Sequence, residues 1–264
     1  MGLGVAGLAG AEYDGSPSRR DQVPNRAGEF LLERAAILRF KRVVDLSHAI
    51  VPGQAGRKFD IAAVGAETIA PVARLADQWY IMHEVNMVNH LGTHLEVPYH
   101  LSPKGADLTQ FPLERTLGPT RLLDIGHPPP GHSVSRDEIK KATFLAGGVE
   151  PGEIVFVRTG WSKAWGTPEY LKSPWFRPEA LEWLVRQGMV LFGVDAAGVE
   201  ELTSTTHESH YALFDHNVAL IENLTNLAVL GTRKRFTSVC TPIAVKGLEA
   251  FPIRVVGVLG DGVI

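Results

Sequence analysis

The sequence has a single cysteine, little net charge and no long apolar run, and each shortage bears on the class of protein. Cys240 has no second cysteine to pair with, which excludes an intrachain disulfide and favours a reducing compartment. Twenty-six Lys and Arg residues against 29 Asp and Glu leave a formal charge of −3, which gives no reason to expect nucleic acid or an anionic membrane as partner. No apolar run approaches the ~20 residues of a membrane-spanning helix. The composition therefore predicts a cytoplasmic globular protein.

Domain organisation follows from a change in composition near the start. Residues 1–28 are rich in Gly and Ala and then polar, which predicts a flexible N-terminal arm. Residues 29–264 are predicted to form a single domain. Helical spacing of apolar residues predicts helices over Glu29–Lys41, Ser135–Ala142 and Arg177–Gln187.

Short apolar runs bounded by turn residues predict the strands of this domain. The runs are Val43–Leu46, Arg121–Ile125, Ile154–Arg158, Met189–Val194, Val218–Ile221 and Arg254–Leu259. Strands interspersed with a few helices predict an α/β fold whose mixed, barrel-like β-sheet carries flanking helices. The order of the strands does not follow from these runs.

The densest chemistry lies in residues 90–100, where three histidines and a carboxylate occupy eleven positions. Imidazole and carboxylate are suitable ligands for a divalent metal ion. Gly92 can turn the chain so that His90 and His94 converge. His94 and Glu96 then point the same way on an extended segment, about 7 Å apart at their backbones. The spacing of these residues predicts a metal site. A solitary histidine, by contrast, is more often a hydrogen-bonded polar side chain than a metal ligand.

Two neighbours of these ligands have predicted roles of a different kind. Fully extended chain would place His100 about 13 Å beyond Glu96, so His100 reaches the ion only if Pro98–Tyr99 bends the path. Proton transfer is therefore the predicted role of His100. Thr93 is expected either to hold the turn or to hydrogen-bond a bound substrate.

A second cluster contains His207, His210 and, after an apolar run, Glu222. A buried carboxylate is costly unless it is paired or bound to a metal. Glu222 therefore either binds an ion or pairs with an arginine such as Arg158 or Arg254. Asp195 also follows a predicted strand, where it is either a site residue or a turn or helix cap.

An aromatic-rich segment contains Trp161, Trp165, Trp175 and Phe176. These rings either form the wall of a pocket for an aromatic substrate, with Trp161 as the named candidate, or are packed in the ordinary way. The chain has no Gly-x-Ser-x-Gly nucleophile elbow, which argues against an acyl-enzyme route.

The two clusters resemble the cyclase family of metal-dependent hydrolases, which includes bacterial kynurenine formamidase and isatin hydrolase. The family signature is His-x-Gly-Thr-His-x-Asp-x-Pro-x-His, and residues 90–100 match every fixed position but one. Further similar segments are Asp45–His48, Arg158–Trp161, Gly193–Asp195, and His210 followed twelve residues later by Glu222. The resemblance extends over most of the chain after residue 28.

The resemblance implies a barrel-like α/β hydrolase, assembled as a homodimer or homotetramer, with one or two divalent ions, Zn or Mn. Carried over by position, His90, His94 and Glu96 would hold the first ion. Glu96 with His210 and Glu222 would hold the second. His100 or Glu222 would transfer the proton. Glu96 stands where the family has aspartate, and its additional methylene moves the carboxylate by about 1.5 Å, which puts bridging of two ions in question.

The predicted function is therefore hydrolysis of an amide bond in a small molecule by attack of a metal-activated water. The expected substrate is an aryl formamide such as N-formylkynurenine, or a cyclic amide such as isatin. One alternative is a metal-dependent cyclase, lyase or lactone hydrolase that acts on another substrate. Another is a metal-binding protein without catalytic activity.

Overall fold

A computed structural model of the protein describes residues 40–53, 56–65 and 81–260. Its strands are β1 (Phe40–Asp45), β2 (Phe59–Val64), β3 (Met82–Met87), β4 (His94–Glu96), β5 (Leu117–Asp124), β6 (Ser133–Val134), β7 (Ile154–Arg158), β8 (Trp175–Phe176), β9 (Leu191–Val194), β10 (Ala219–Glu222), β11 (Arg235–Val239), β12 (Ala250–Pro252) and β13 (Val256–Gly260). Its α-helices are α1 (Arg136–Leu145), α2 (Pro178–Arg186) and α3 (Glu208–Phe214).

The predicted arm over 1–28 lies outside the described residues. So does the helix predicted over Glu29–Lys41, except for its last two residues, which belong to β1.

One mixed sheet organises the described part of the chain. Its nine strands follow the order β1-β13-β11-β5-β7-β9-β10-β4-β12. The central strands β5, β7, β9 and β10 are parallel, and antiparallel strands flank them on both sides. The sheet forms a half-barrel with few helices, which confirms the predicted mixed, barrel-like α/β fold.

Two hydrophobic cores, one on each face of the sheet, explain why the central apolar runs of the sequence form strands. Successive residues of β7 alternate between the cores: Val155 and Val157 pack with the helices on one face of the sheet, and Ile154 and Phe156 pack on the other. Burial on both faces is typical of parallel strands and requires continuous apolar runs. All four side chains are at most 1% exposed.

Helices α1 and α2 begin where the sequence predicts. Ser135 forms a capping box with Glu138 at the start of α1. Pro178 occupies the first turn of α2, where its missing N–H costs nothing. Gly188 follows α2 with a φ of +88°, and a Cβ there would lie 2.8 Å from the Pro151 backbone. Only glycine therefore fits this turn.

A two-stranded hairpin lies apart from the main sheet and was not predicted. In it β2 pairs with β3 from Phe59 opposite Met87 to Val64 opposite Met82. Most of its side chains are exposed, and Val85 retains 54% of its surface. No helix in the described ranges has the length and apolar character needed to cross a bilayer.

The sheet order brings the two sequence clusters together. Strand β4 carries His94 and Glu96 and lies between β10 and β12. On the β10 side, Glu222 is paired with His94 and Leu220 with Glu96. On the β12 side, Ala250 is paired with Glu96. Residues more than a hundred positions apart thus become neighbours through strand pairing.

Candidate metal centre

The turn before β4 is built around Gly92 and Thr93. Gly92 has a φ of +62°, and a Cβ there would lie 2.7 Å from Ile50 Cγ1, so glycine is required. The Thr93 hydroxyl donates to the Asn223 carbonyl at 2.5 Å and accepts from the His48 backbone N–H at 2.9 Å. Of the two roles expected for Thr93, the structure supports holding the turn, because its donor and an acceptor position are occupied by the protein.

The structure brings the five predicted ligands together, and we call them the histidine cluster: His90, His94, Glu96, His210 and Glu222. His90 Nδ1 lies 2.7 Å and His94 Nε2 lies 2.9 Å from Glu96 Oε1. His210 Nε2, which helix α3 supplies, lies 3.6 Å from Glu96 Oε2. Glu222 Oε2 lies 3.6 Å from His94 Nε2. Both halves of the predicted site therefore meet at the Glu96 carboxylate.

The additional methylene of Glu96 does not remove it from either half. Its two carboxylate oxygens divide between the halves, with Oε1 beside His90 and His94 and Oε2 facing His210. The ligand atoms of His90, His94 and Glu96 lie within 4.8 Å of one another, as do those of Glu96, His100 and His210. Glutamate at this position can thus contact both groups of imidazoles.

The electrostatics of the cluster show an excess of carboxylate. Burial by itself would raise the pKa of Glu96, but its contacts with the imidazoles of His210, His90 and His94 hold it well below its ordinary value. Burial and the negative charge of Glu96 raise the pKa of Glu222 to about 7. Burial by itself would lower the pKa of His210, yet its contacts with Glu200 and Glu96 raise it to about 10. The site therefore favours an added positive charge.

His100 lies beside the cluster because the chain bends after β4. A 3-10 helix over Pro98–His100 supplies the bend that the sequence argument required. The His100 ring centroid lies 4.6 Å from that of His90 and 5.9 Å from that of His210. Burial lowers the pKa of His100, so the ring is neutral near pH 7 and able to accept a proton.

A divalent cation fits these residues. Glu96 is 2% exposed, and its Oε2 is buried without a hydrogen-bond partner. A carboxylate oxygen in that position is costly unless a cation reaches it. Three imidazoles and two carboxylates are a nitrogen and oxygen donor set suited to a divalent metal ion.

The alternative that Glu222 pairs with an arginine is wrong for both arginines named. Arg158 pairs with Asp124, and Arg254 pairs with Asp45 at 2.7 Å. Within the described residues, the recorded ion-pair partners of Glu222 are His94 and His210.

Asp195 has a structural role in this fold. Its carboxylate accepts hydrogen bonds from the Thr159 N–H at 2.5 Å, the Thr159 hydroxyl at 2.8 Å and the Gly160 N–H at 3.0 Å. The side chain therefore holds the loop that follows β7. This is the cap-like role that the sequence left open for Asp195.

A cavity of about 300 Å³ opens beside His90 and Gly92. Its other lining residues include Arg57, Trp165, Tyr170 and Asn223. Trp165 stacks on His48 with ring centroids 4.4 Å apart. The Tyr170 hydroxyl donates to Asn223 Oδ1 at 2.9 Å, which fixes this wall.

Trp161, the predicted substrate-binding residue, lies elsewhere. It is buried, its indole N–H donates to the Pro128 carbonyl at 3.0 Å, and it lines a different cavity with His127 and Lys163. Trp161 therefore does not line the cavity beside His90, which Trp165 lines instead, and its role in substrate binding stays a prediction. Sequence alone does not separate two tryptophans four residues apart in a loop.

Two further carboxylates lie against the cluster and were missed. Glu249 Oε1 is 3.1 Å from His90 Nε2, and Glu200 Oε1 is 3.2 Å from His210 Nδ1. Neither lies in a recognisable motif. Glu249 directly precedes β12, so its proximity to His90 depends on the pairing of β12 with β4.

The half-barrel sheet and the histidine cluster together define an α/β protein with a candidate metal site at strands β4 and β10. Residues 44–201 match the family model Cyclase, which covers more than half of the chain. The chain therefore belongs to the Cyclase family.

The relatives agree with this membership. The kynurenine formamidase of Bordetella avium (strain 197N) is 28% identical over 178 residues, which span 66% of this chain and 78% of that protein. A crystal structure of an isatin hydrolase bound to the product analogue thioisatinate shares the fold, with a TM-score of 0.71 and 21% identity over 83% of this chain and 92% of that one. A potential metal-dependent hydrolase with cyclase activity has a TM-score of 0.64 and 23% identity over 82% of this chain and 96% of that chain.

Proposed function

We propose that this protein is a metal-dependent hydrolase that cleaves an amide bond in a small aromatic molecule. The observation that carries the proposal is the Glu96 carboxylate, which is buried among three imidazoles with one oxygen lacking a hydrogen-bond partner. The names of the relatives, kynurenine formamidase and isatin hydrolase, support the reaction class.

His90, His94 and Glu96 would hold one divalent ion, and His210 and Glu222 would hold a second with Glu96 between them. When bound, such an ion acidifies a water molecule and polarises a carbonyl group. Zn and Mn are the proposed metals, because the donors are imidazole and carboxylate.

Two residues of the chain are placed to move the proton. Glu222 lies beside His94 and carries a carboxylate that can take up a proton. The neutral imidazole of His100 lies beside the rings of His90 and His210. We assign proton removal from the attacking water, and its return to the leaving nitrogen, to Glu222 or His100.

The cavity beside His90 supports an aromatic substrate. Trp165 and Tyr170 form an apolar wall, and their rings meet edge to face with centroids 5.2 Å apart. Aryl formamides such as N-formylkynurenine and cyclic amides such as isatin present a flat ring of suitable size beside the scissile carbonyl.

Metal content and turnover test the proposal together. The purified protein is analysed for bound metals, stripped with a chelator and reloaded with Zn²⁺ or Mn²⁺, and each form is assayed on N-formylkynurenine, isatin and related amides. We expect activity only in the reloaded forms. Equal activity of the stripped protein would contradict the metal mechanism. If metal is bound and only a lactone or another non-amide is turned over, the result would support a cyclase, lyase or lactone hydrolase. If metal is bound and no substrate is turned over, the result would support a metal-binding protein without catalytic activity.

We also propose that the protein is a cytoplasmic homodimer or homotetramer. An isolated two-stranded hairpin is marginally stable in water, and the β2–β3 hairpin exposes Ile61 and Val85. Packing against a second copy would cover these side chains. A fully buried, unpaired Cys240 is consistent with a reducing compartment. Light scattering after gel filtration tests the assembly, and a monomer at working concentration would contradict it.

A further inference from the structure

The three imidazoles that face Glu96 share a second feature: each has an acceptor on its outward nitrogen. The Nδ1–H of His94 is directed at the Gly92 carbonyl, 2.9 Å away. His90 Nε2 has Glu249 Oε1 at 3.1 Å. His210 Nδ1 has Glu200 Oε1 at 3.2 Å. A backbone oxygen therefore serves the first histidine, and a separate carboxylate serves each of the other two.

This pattern determines which nitrogen can bind a cation. A neutral imidazole has one N–H and one lone pair, and an ionised carboxylate can only accept a hydrogen bond. Without a cation, Glu96 competes as an acceptor for the inward nitrogens of His90 and His94. Once a cation lies between those nitrogens and Glu96, only the outward acceptors can hold the imidazole protons, and the inward lone pairs are left for the cation. The inward atoms are Nδ1 of His90 and Nε2 of His94 and His210, the atoms that approach Glu96.

We propose that Glu249 and Glu200 are positioning residues of the metal centre, which orient His90 and His210 and increase the basicity of their inward nitrogens. The assignment rests on the metal site of the proposed function. Carboxylates behind metal-binding histidines act in this way, and their loss typically costs about 10–100-fold in metal affinity.

Both carboxylates are themselves fixed in place. The side-chain amide of Asn89 donates to Glu249 Oε1 at 2.7 Å and to the Ala250 carbonyl at 3.2 Å, which ties the His90 loop to β12. The His210 backbone N–H donates to Glu200 Oε1 at 2.9 Å, so one oxygen contacts both the backbone and the ring of that histidine. Side chains held in this way restrict ring rotation rather than follow it.

Direct ligation is the competing role for Glu249. Its oxygen could join His90 and His100 around an ion, since these ligand atoms lie within 4.8 Å of one another. Such an ion would lie on the outward side of His90, because the two nitrogens of one imidazole point in different directions. It would therefore be additional to any ion bound between His90 and Glu96, and its loss would change the stoichiometry of binding.

The test is a zinc titration of the full-length protein against a chromophoric chelator, with Glu249→Gln, Glu200→Gln and the double variant. Glutamine keeps the shape and an acceptor oxygen but removes the charge. Glu182→Gln is the matched control, because Glu182 is an exposed partner of Arg186 on α2. We expect unchanged zinc stoichiometry, about 10–100-fold weaker affinity in each site variant, an altered visible spectrum of the Co²⁺-loaded protein, and no change in the control.

Two results would overturn the assignment. Zinc affinity and Co²⁺ spectra equal to those of the unaltered protein would show that the carboxylates do not act through the histidines. Loss of a whole zinc equivalent in Glu249→Gln, with the remaining affinity unchanged, would make Glu249 a ligand. If the unaltered protein binds neither zinc nor cobalt, the proposed function fails as well. This measurement therefore distinguishes failure of the proposed function from failure of the assignment of Glu249 and Glu200 alone. Alanine at the same positions should weaken binding further, and glutamine keeps the test open if the alanine variants do not fold.

Discussion

Two groups of charged residues in this protein, each with a buried carboxylate, balance their charges in different ways. The arginine cluster, which consists of Arg121, Glu150, Glu153 and Arg235, joins strands β5 and β11 to the loop before β7. In it Arg121 contacts both carboxylate oxygens of Glu153 at 3.2 Å, and Arg235 contacts Glu150 at 3.0 Å. Two permanent cations therefore meet two carboxylates, and the charges cancel within the cluster.

The histidine cluster does not cancel in this way. Within the described part of the chain, the ion-pair partners recorded for Glu96 and Glu222 are all histidines. A histidine is positive only when a proton is added, as the raised pKa of His210, about 10, indicates for this site, and a bound cation can take the place of such a proton. The comparison teaches that a cluster whose own charges cancel serves the fold. A cluster whose carboxylates require an added cation is a candidate binding site.

The largest expected effect comes from removing a central ligand. His94→Ala should abolish stoichiometric metal binding and reduce hydrolysis to the level of the metal-depleted protein, because His94 contacts Glu96 and faces Glu222. Saturating metal should stabilise the unaltered protein by about 2.7 kcal/mol at a hundred times Kd, and should leave the variant unaffected. Metal analysis and thermal unfolding measure both effects; retained binding in the variant would reject the ligand set.

The arginine cluster should respond in stability instead. Arg121→Met removes the two contacts of Arg121 to the buried Glu153 and leaves Arg235, at 2.7 Å, as the remaining cation, so we expect the free energy of unfolding to fall by about 1–3 kcal/mol. Both residues are buried: Arg121 is 6% exposed and Glu153 is 2% exposed. Zinc affinity should not change. Denaturant titration measures the free energy of unfolding, and chelator competition measures the zinc affinity. A loss of zinc affinity together with the loss of stability would show that the two clusters are not independent.

A smaller effect is expected from crowding the metal centre without changing its ligands. A Cβ on Gly198 would lie 2.7 Å from Glu222 Oε1, so Gly198→Ala must displace that carboxylate. We expect kcat/KM to fall about 10–100-fold, as for misplaced catalytic groups, with unfolding close to that of the unaltered protein. Full activity would argue that Glu222 takes no part in catalysis.

The smallest expected effect is a change in pH dependence of the metal-free protein. The pKa of Glu222 is raised from 4.5 to about 7, so the folded state binds more protons than the unfolded state between these values. Stability should therefore decrease as pH rises through this window. Glu222→Gln cannot ionise and should flatten this part of the profile. Urea unfolding at several pH values measures it, and identical profiles for the two proteins would contradict the charge imbalance.

Several elements could be predicted because their signals are local. The continuous apolar run of β7 and the capping residues of α1 and α2 are determined by residues close in sequence. The short helix α3 was not predicted, since its helical form depends on packing of Leu213 and Phe214 in the core. The β2–β3 hairpin lacks the alternation of a half-buried strand, and no pattern marked it.

What the sequence by itself determined was the chemistry of the first half of the site. The glycine turn, the two-residue spacing from His94 to Glu96 and the ligand types all lie within residues 90–100, so local geometry is enough to align them. Only the tertiary structure decided that Glu222 stands opposite His94, that Trp165 rather than Trp161 faces the cavity, and that Glu249 meets His90. These contacts depend on strand order and register, which arise from hydrogen bonding and burial across the whole sheet and leave no trace in the spacing of the residues concerned.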